Sequence, residues 1–313
     1  MMLRTSRESS KRRVLVHGLP YFGRMFADVM SGNGWEFRFY PDSGIHNLLA
    51  MVRYLKSCDL AYQIGGRVTL GKFLRLAKFM DKQKIVVHWC GSDALVAQRD
   101  VAQGKAEAWI TNKLHHWSDS EAVTRELQAL GLACEIMPLP SASIPDHPSP
   151  LPAQFSVLVY VPGADRGELY GLDSILEVAR ELPQVPFELV GLKSGVVSNS
   201  PPNLSIHGHA ADLSPFYRRT SVLWRPVRHD GVSFMVLEAL GHGRHVLWSY
   251  PFPGCVHVAS AAQARACRVA LYERHQQGQL EINEAGVRVI AQGYLPQNIK
   301  KQILARLEGI LQS

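Results

Sequence analysis

The chain has 313 residues, of which 46% are hydrophobic and 19% charged, and a formal net charge of +7. This length suits two globular cores, and no apolar run is long enough to span a bilayer. The N-terminal stretch MMLRTSRESSKRR lacks the apolar segment of a secretory signal, and five scattered cysteines without a C-x-x-C pair argue against a disulfide framework or a zinc site.

The first feature along the chain is a basic segment over residues 1–13. Its cations, interrupted only by Glu8, are Arg4, Arg7, Lys11, Arg12 and Arg13. Such a run is typical of a solvated tail, and it also suits attraction to an anionic membrane surface. Nucleic acid and phosphorylated small molecules are the other partners that a basic chain fits. We expect a cytoplasmic protein. A further expectation is peripheral contact with the inner face of the membrane.

Residues 14–138 alternate between strand-like and helix-like stretches. The predicted strands are RRVLVHGLP, EFRFY, DLAYQIGG and KIVVHWCG. The predicted helices between and after them are YFGRMFADVMSGNG, HNLLAMVRYLKS, LGKFLRLAKFMDKQ and SEAVTRELQALG. Ser118 and Glu121 match a capping box for the last helix. Alternation at this spacing indicates βαβ units and a parallel sheet.

A second α/β region follows a Pro- and Ser-rich linker over residues 139–154. Residues 155–290 again alternate strands with helices, and residues 291–313 form an amphipathic helix expected to pack on a domain. The fold class predicted is α/β, with two doubly wound, Rossmann-like domains facing across a cleft. Ligands of such sheets bind at the carboxyl ends of the strands, so the cleft is the expected site.

The segment HDGVSFMVLEALGHGRHVLWS, residues 229–249, carries a carboxylate inside an apolar helix. Asp230 and Gly231 precede the helix, whose unpaired first amides form an anion site. Glu238 lies on the order of 7 Å further along the helix. Because helical side chains tilt toward the N-terminus, the Glu238 side chain points back toward these amides. A buried carboxylate needs donors. They are either ligand hydroxyls or one of three nearby arginines: Arg225, Arg228 and Arg244.

This segment resembles the acidic-x7-Glu motif of retaining GT-B glycosyltransferases of the GT4 family, with Asp230 as the first acid and His245 where that family has proline. VVHWCGSDAL resembles the strand end of the family's first domain, and SDSEAVTRELQALG…EIMPLP resembles the run before its linker. VLVYVPG…YGLDSILEVARELPQVPFELVG resembles the start of its nucleotide-binding domain. The resemblance covers most of residues 13–250, in order.

The resemblance implies a transferase that uses a nucleotide-diphosphate sugar. Glu238 would accept hydrogen bonds from the ribose hydroxyls, and Asp230 would face the hydroxyls of the sugar near the transferred carbon. The diphosphate or the sugar would meet three backbone amides: those of Gly231, Val232 and Ser233.

Three residues of the first domain are implied in the site in the same way. His88 would touch the sugar and support charge at the anomeric carbon; the alternative is a core histidine at a strand end. Gly18 and Gly23 resemble the glycine loop that approaches the donor or acceptor, and a structural turn is the other interpretation.

The chain departs from the family in the loop PGADRGELYGLD, where Tyr170 occupies the position of the expected lysine. A departing diphosphate needs positive charge, so Arg166 and Lys193 become the candidate cations. Because no Asp-x-Asp occurs, we expect a metal-independent enzyme with no cofactor besides its donor substrate. Pairs of histidines such as His115–His116 lack a third ligand at suitable spacing.

The resulting prediction is a retaining glycosyltransferase acting on a glycan or lipid-linked glycan. The predicted helix LGKFLRLAKFMDKQ carries three cations that suit docking at a membrane surface: Lys72, Arg75 and Lys78. The alternatives are a nucleic-acid-directed glycosyltransferase, a nucleotide-sugar epimerase and a catalytically weak sugar-nucleotide binder. No recognition motif for nucleic acid is visible, and the substitution by Tyr170 is the reason for the last alternative.

Overall fold

The structure is a computed structural model that describes residues 11–41 and 45–313. It divides into two compact units: a first unit up to Ala142 that also includes Pro296–Ser313, and a second unit, Ser143–Leu295. Regions 139–142 and 143–154, predicted as the linker, are without helix or strand.

The first unit contains a parallel sheet. Its strands are β1 (Arg12–Gly18), β2 (Trp35–Tyr40), β3 (Leu60–Ile64), β4 (Ile85–Trp89), β5 (His115–Ser118) and β6 (Cys134–Ile136). The connecting helices are α1 (Pro20–Met30), α2 (Ile45–Ser57), α3 (Lys72–Phe79), α4 (Asp93–Ala102), α5 (Ala108–Lys113) and α6 (Glu121–Ala129). The strand order is β2-β1-β3-β4-β5-β6, so the direction of winding reverses between β1 and β3.

The second unit contains a second parallel sheet. Its strands are β7 (Val157–Tyr160), β8 (Phe187–Val190), β9 (Leu204–Ile206), β10 (Val222–Arg225), β11 (His245–Trp248) and β12 (Val256–His257). Its helices are α7 (Leu172–Glu181), α8 (Ser214–Arg219), α9 (Phe234–Gly241), α10 (Ala261–Gln276) and α11 (Glu284–Val289). A 3-10 turn spans Ala164–Arg166, and a π-helical turn spans Ile290–Tyr294.

The order β12-β11-β10-β7-β8-β9 is that of a Rossmann sheet. The winding reverses between β7 and β10, which are paired in parallel. Both sheets are covered by helices on both faces, so their central strands are continuous apolar runs. Val14, Leu15 and Val16 of β1 are fully buried, as are Val157 and Leu158 of β7. Each such side chain contributes about 1.5–3 kcal/mol by its burial.

The last helix, α12 (Pro296–Gln312), belongs to the first unit. Its buried face has helical spacing: Ile299, Ile303, Leu307 and Ile310. Lys300 Nζ donates to the carbonyl oxygens of Val29 and Ser31 at 2.8 and 2.7 Å. These contacts fix the helix beside the C-terminal end of α1.

Two details of the first unit differ from the sequence interpretation. Ser120, and not Ser118, is the N-cap of α6, because its Oγ accepts from the Val123 amide at 3.2 Å. Arg12 and Arg13 begin β1 instead of extending the basic tail, and Arg12 donates to Glu308 at 2.9 Å. Arg4 and Arg7 lie outside the described residues.

Candidate functional site

The winding reversal of the second sheet opens a crevice at the carboxyl ends of β7 and β10, the usual ligand position in such sheets. The loops that follow these two strands are packed on each other. The amide of Arg228 donates to the Leu169 carbonyl at 2.9 Å. At Gly171, whose φ is +68°, a Cβ would lie 2.4 Å from the carbonyl oxygen of Pro226. Glycine is therefore required where the loop turns into α7.

Asp230 and Arg225 form a partly buried ion pair in this crevice. Arg225 Nε donates to Asp230 Oδ2 at 2.6 Å, and the two side chains are 7% and 13% exposed. Burial pulls the pKa of Arg225 down, but the attraction of Asp230, with smaller contributions from Tyr170 and Tyr160, raises it overall. The guanidinium is therefore charged, and it fixes the orientation of the carboxylate that, by the family resemblance, would face the sugar.

Two arginine side chains lie over the ring of Tyr170, the residue at the position of the expected lysine. The Arg225 guanidinium carbon lies 5.4 Å from its ring centroid, and that of Arg166 lies 5.8 Å away, both within cation–π range. Tyr160, the last residue of β7, meets the same ring edge-on at 5.7 Å. Burial raises the pKa of Tyr160, and Tyr170 adds to this, while Arg225 and Arg166 lower it.

The start of α9 lies directly after Asp230. Ser233 is the N-cap residue, with an extended backbone, and its carbonyl accepts from the Val236 and Leu237 amides. Gly231 and Ser233 are buried and Val232 is half-buried. The first amides of a helix have no intrahelical acceptor, so this end of α9 favours an anion.

Glu238 is 3% exposed in the middle of α9. Its Oε2 accepts a hydrogen bond from the Tyr217 hydroxyl of α8 at 2.9 Å. The three arginines named as alternative partners make other contacts: Arg225 with Asp230, Arg228 with Glu168, and Arg244 with Ser149 and Pro150.

Tyr217 also stacks on His242 at 5.2 Å. Burial, with Arg244 and Arg218 in the same direction, lowers the pKa of His242 to about 4. An uncharged imidazole thus lies beside the donor of the Glu238 hydrogen bond.

Lys193 lies in the loop after β8, the strand next to β7. Its side chain is exposed, and the loop is packed against the end of β7, where a Cβ on Gly191 would lie 2.4 Å from the Val161 carbonyl oxygen. Topology therefore places Lys193 on the same sheet edge as Arg166 and Asp230.

In the first unit, His88 is fully buried near the end of β4, and its Nδ1 is hydrogen-bonded to the Tyr62 hydroxyl at 2.6 Å. Burial lowers the pKa of His88 to about 3, against a smaller opposite effect of the Met137 backbone. Its Nε2 nevertheless makes no hydrogen bond of good geometry to any described residue. These features describe a neutral core histidine.

The two first-unit glycines have packing reasons of their own. At Gly18, with φ of +112°, a Cβ would lie 1.8 Å from the Ile64 carbonyl oxygen. At Gly23 a Cβ would lie 2.4 Å from the Phe39 ring. Gly18 lies at the winding reversal of the first sheet, where the neighbouring His17 is hydrogen-bonded to Gln63 at 3.0 Å.

Within residues 11–41 and 45–313, no group of three or more metal-ligating side chains is gathered in one place. Over the same ranges, the helices are too short or too polar to cross a bilayer.

Sequence reasoning did not find the roles of Arg225, Tyr217 and Tyr160. Arg225 carried a usable signal, because it is a charged residue at the end of the apolar strand SVLWR, immediately before the turn to Asp230. Tyr217 carried no such signal, since it lies 21 positions before Glu238 and on a different helix.

Comparison with solved structures finds the same architecture in glycosyltransferases. Alr3699/HepE of Anabaena, solved in complex with UDP-glucose, matches with a TM-score of 0.70 at 13% identity, covering 95% of this chain and 99% of that chain. Sucrose-phosphate synthase of Thermosynechococcus elongatus matches with a TM-score of 0.70 at 13% identity, covering 96% and 99%. The chain therefore has the GT-B fold of two Rossmann-like units.

The GtfA/B complex matches with a TM-score of 0.55 at 14% identity, covering 84% of this chain. This chain spans only 61% of that protein's length. No protein-family model and no curated protein matches the chain.

Proposed function

We propose that this protein is a glycosyltransferase that moves a sugar from a nucleotide-diphosphate sugar to a glycan or lipid-linked glycan. The observation that carries the proposal is the arrangement of Asp230, the α9 N-terminus and Glu238 at the winding reversal of the second sheet. A half-buried carboxylate before the start of α9 and a buried carboxylate further along the same helix suit a ligand with hydroxyls at both ends and an anion between them. The GT-B neighbour solved with UDP-glucose agrees with this donor class.

In this proposal Glu238 accepts hydrogen bonds from the ribose, and Asp230 faces the transferred sugar. The amides of Gly231, Val232 and Ser233 meet the diphosphate or the sugar, as the family resemblance implies. The family resemblance also implies that His88 touches the sugar. The reaction is proposed to be GT4-like, with retention of the anomeric configuration and without a metal ion, because helix dipole and arginine supply the positive charge.

A thermal-shift screen against UDP-glucose, UDP-N-acetylglucosamine, GDP-mannose and ADP-glucose tests the donor class. We expect one nucleotide family to raise the melting temperature, since a ligand of the folded state stabilises it by mass action. Absence of any shift would refute the donor site. EDTA is expected to leave binding and turnover unchanged, and loss of turnover on chelation would refute metal independence.

Product analysis separates transfer from its alternatives. Transfer releases the nucleoside diphosphate and a glycosylated acceptor whose anomeric configuration matches that of the donor. A changed sugar still on its nucleotide would instead identify an epimerase. Binding without hydrolysis or transfer would identify the weak binder suggested by Tyr170. Salt-dependent retardation of DNA in a gel would support a nucleic-acid-directed enzyme.

We also propose that the protein works in the cytoplasm at an anionic membrane surface. Lys72 and Arg75 of α3 are exposed, and Phe79 of the same helix is 88% exposed. Lys78 instead pairs with Glu107 at 3.5 Å. Cations with an exposed aromatic side chain suit the headgroup region of a bilayer.

Sedimentation with phosphatidylglycerol vesicles tests the docking. The double variant Lys72→Glu/Arg75→Glu is expected to lose salt-dependent binding, while Lys113→Glu, an exposed control on α5, retains it. Equal binding of the two variants would contradict docking through α3.

A further inference from the structure

We propose that Arg225 binds the diphosphate of the donor, replacing the lysine that is absent at position 170. This inference rests on the proposed function. In this inference the cation that binds the diphosphate lies at the carboxyl end of β10 and not in the loop after β7. These two strands lie on opposite sides of the winding reversal.

The first observation is an unsatisfied donor. Arg225 is 6% exposed, and its Nη1 has no hydrogen-bond partner among the described residues. A buried donor without an acceptor is costly, and a guanidinium presents its N–H groups in a planar fork that matches phosphate oxygens. A phosphate oxygen in the crevice would supply the missing acceptor.

The second observation is how the guanidinium is held. Its Nε is anchored to Asp230 at 2.6 Å, and its carbon lies 5.4 Å from the centroid of the Tyr170 ring. The anchor uses one edge of the guanidinium and leaves Nη1 on another. Arg225 is therefore oriented before a ligand arrives, which reduces the entropy lost on binding.

The third observation concerns the missing lysine. Arg166 and Arg225 both lie within 6 Å of the Tyr170 centroid. A lysine at position 170 would bring a third positive charge against these two, whereas the negative ring face of tyrosine attracts them. A tyrosine at position 170 thus suits a site in which arginine side chains carry the positive charge.

The location agrees with the chemistry. Arg225 is the last residue of β10, and five residues later Asp230 leads into the start of α9. A diphosphate at the helix N-terminus would meet both the amides and the guanidinium. The leaving nucleoside diphosphate gains negative charge as the glycosidic bond breaks, and a fixed cation there stabilises that charge.

Calorimetric titration with UDP, GDP and ADP, and with uridine, guanosine and adenosine, tests the inference. The measured quantity is the ratio of diphosphate affinity to nucleoside affinity for the base that the wild-type protein selects. In Arg225→Gln we expect this ratio to fall about 10- to 100-fold, with nucleoside affinity unchanged. The control is Arg228→Gln, which removes an exposed arginine paired with Glu168 in the same loops, and it should keep the wild-type ratio.

A second variant covers the case in which Arg225→Gln fails to fold. Arg225→Lys keeps the charge and loses the planar fork, so the ratio should fall by less, about 3- to 10-fold. A wild-type ratio in whichever Arg225 variants fold would overturn the inference, as would an equal loss in Arg228→Gln. If the wild-type protein binds none of the three diphosphates, the proposed function itself fails, and this outcome is distinguishable because it precedes any variant.

Discussion

Replacing Glu238 with glutamine removes a carboxylate charge at nearly constant volume. The side chain is 3% exposed and accepts a hydrogen bond from the Tyr217 hydroxyl at 2.9 Å. The amide oxygen of glutamine can still accept this bond, so we expect the variant to fold. It loses the charge that strengthens hydrogen bonds from ribose hydroxyls.

The expected magnitude follows from the strength of charged hydrogen bonds. Such bonds contribute about 1.5–3 kcal/mol, and a loss of about 2 kcal/mol weakens binding about 30-fold. A ligand at 100 times its wild-type Kd adds about 2.7 kcal/mol to the free energy of unfolding, and after the weakening it adds about 0.9 kcal/mol. For a unit of the size of Ser143–Leu295, this reduces the rise in melting temperature from about 5–10 °C to about 2–4 °C.

The assay is a thermal melt with and without the nucleotide that stabilises the wild-type protein. Glu181→Gln is the matched control, because Glu181 ends α7, has an exposed side chain and pairs with Arg265 at 3.2 Å. A full ligand-induced shift in Glu238→Gln, or an equal loss in the control, would refute the placement of the ribose at Glu238.

Three further predictions concern the frame around the site. Burial lowers the pKa of His116 to about 4, below its unfolded value of about 6.5, and its Nδ1 accepts from Trp89 Nε1 at 3.1 Å. Stability from this group is therefore full above pH 6.5 and lost as the pH falls toward 4, so that His116 alone contributes about 2 kcal/mol to the loss between pH 7 and pH 5. In urea melts His116→Gln should lose about 2 kcal/mol less than wild type over this range, and an equal loss in the two proteins would contradict the argument. Arg244 is fully buried and donates to Ser149 Oγ at 2.7 Å, so Arg244→Ala should lower the free energy of unfolding by about 3 kcal/mol or more and speed proteolysis within 143–154; wild-type protection would count against this anchor. Gly18→Ala should cost at least about 2 kcal/mol in thermal melts, because its φ of +112° and a main-chain oxygen 1.8 Å from the added Cβ leave no room; a cost below 0.5 kcal/mol would refute the packing argument.

The alternation of apolar strands and amphipathic helices was sufficient to predict the α/β class. Period-2 and continuous apolar runs predicted β1, β3 and β4 close to their observed bounds, because burial on both faces leaves a direct mark on composition. The capping box at Ser118 was wrong, since two serines two residues apart fit the same helix start and only the backbone geometry selects Ser120.

The candidate site was predictable in part. Asp230, Glu238 and the α9 start are local in sequence, so helix geometry alone related them. The partners of these residues were not predictable. The hydrogen bond from Tyr217 and the approach of Arg225 to Tyr170 join separate elements, and hydrophobic periodicity carries no information about which elements become neighbours.

By itself the sequence determined where the strands and helices lie, that they form two α/β regions, and that an apolar helix carries a carboxylate. Tertiary structure decided the order of the strands, including the reversal between β7 and β10, and the membership of α12 in the first unit. It also decided that Arg225 and Tyr170 share the crevice with Asp230. The physical reason is that local propensity and burial act over one or two turns of chain, whereas strand order and side-chain pairing are set by contacts between residues distant in sequence.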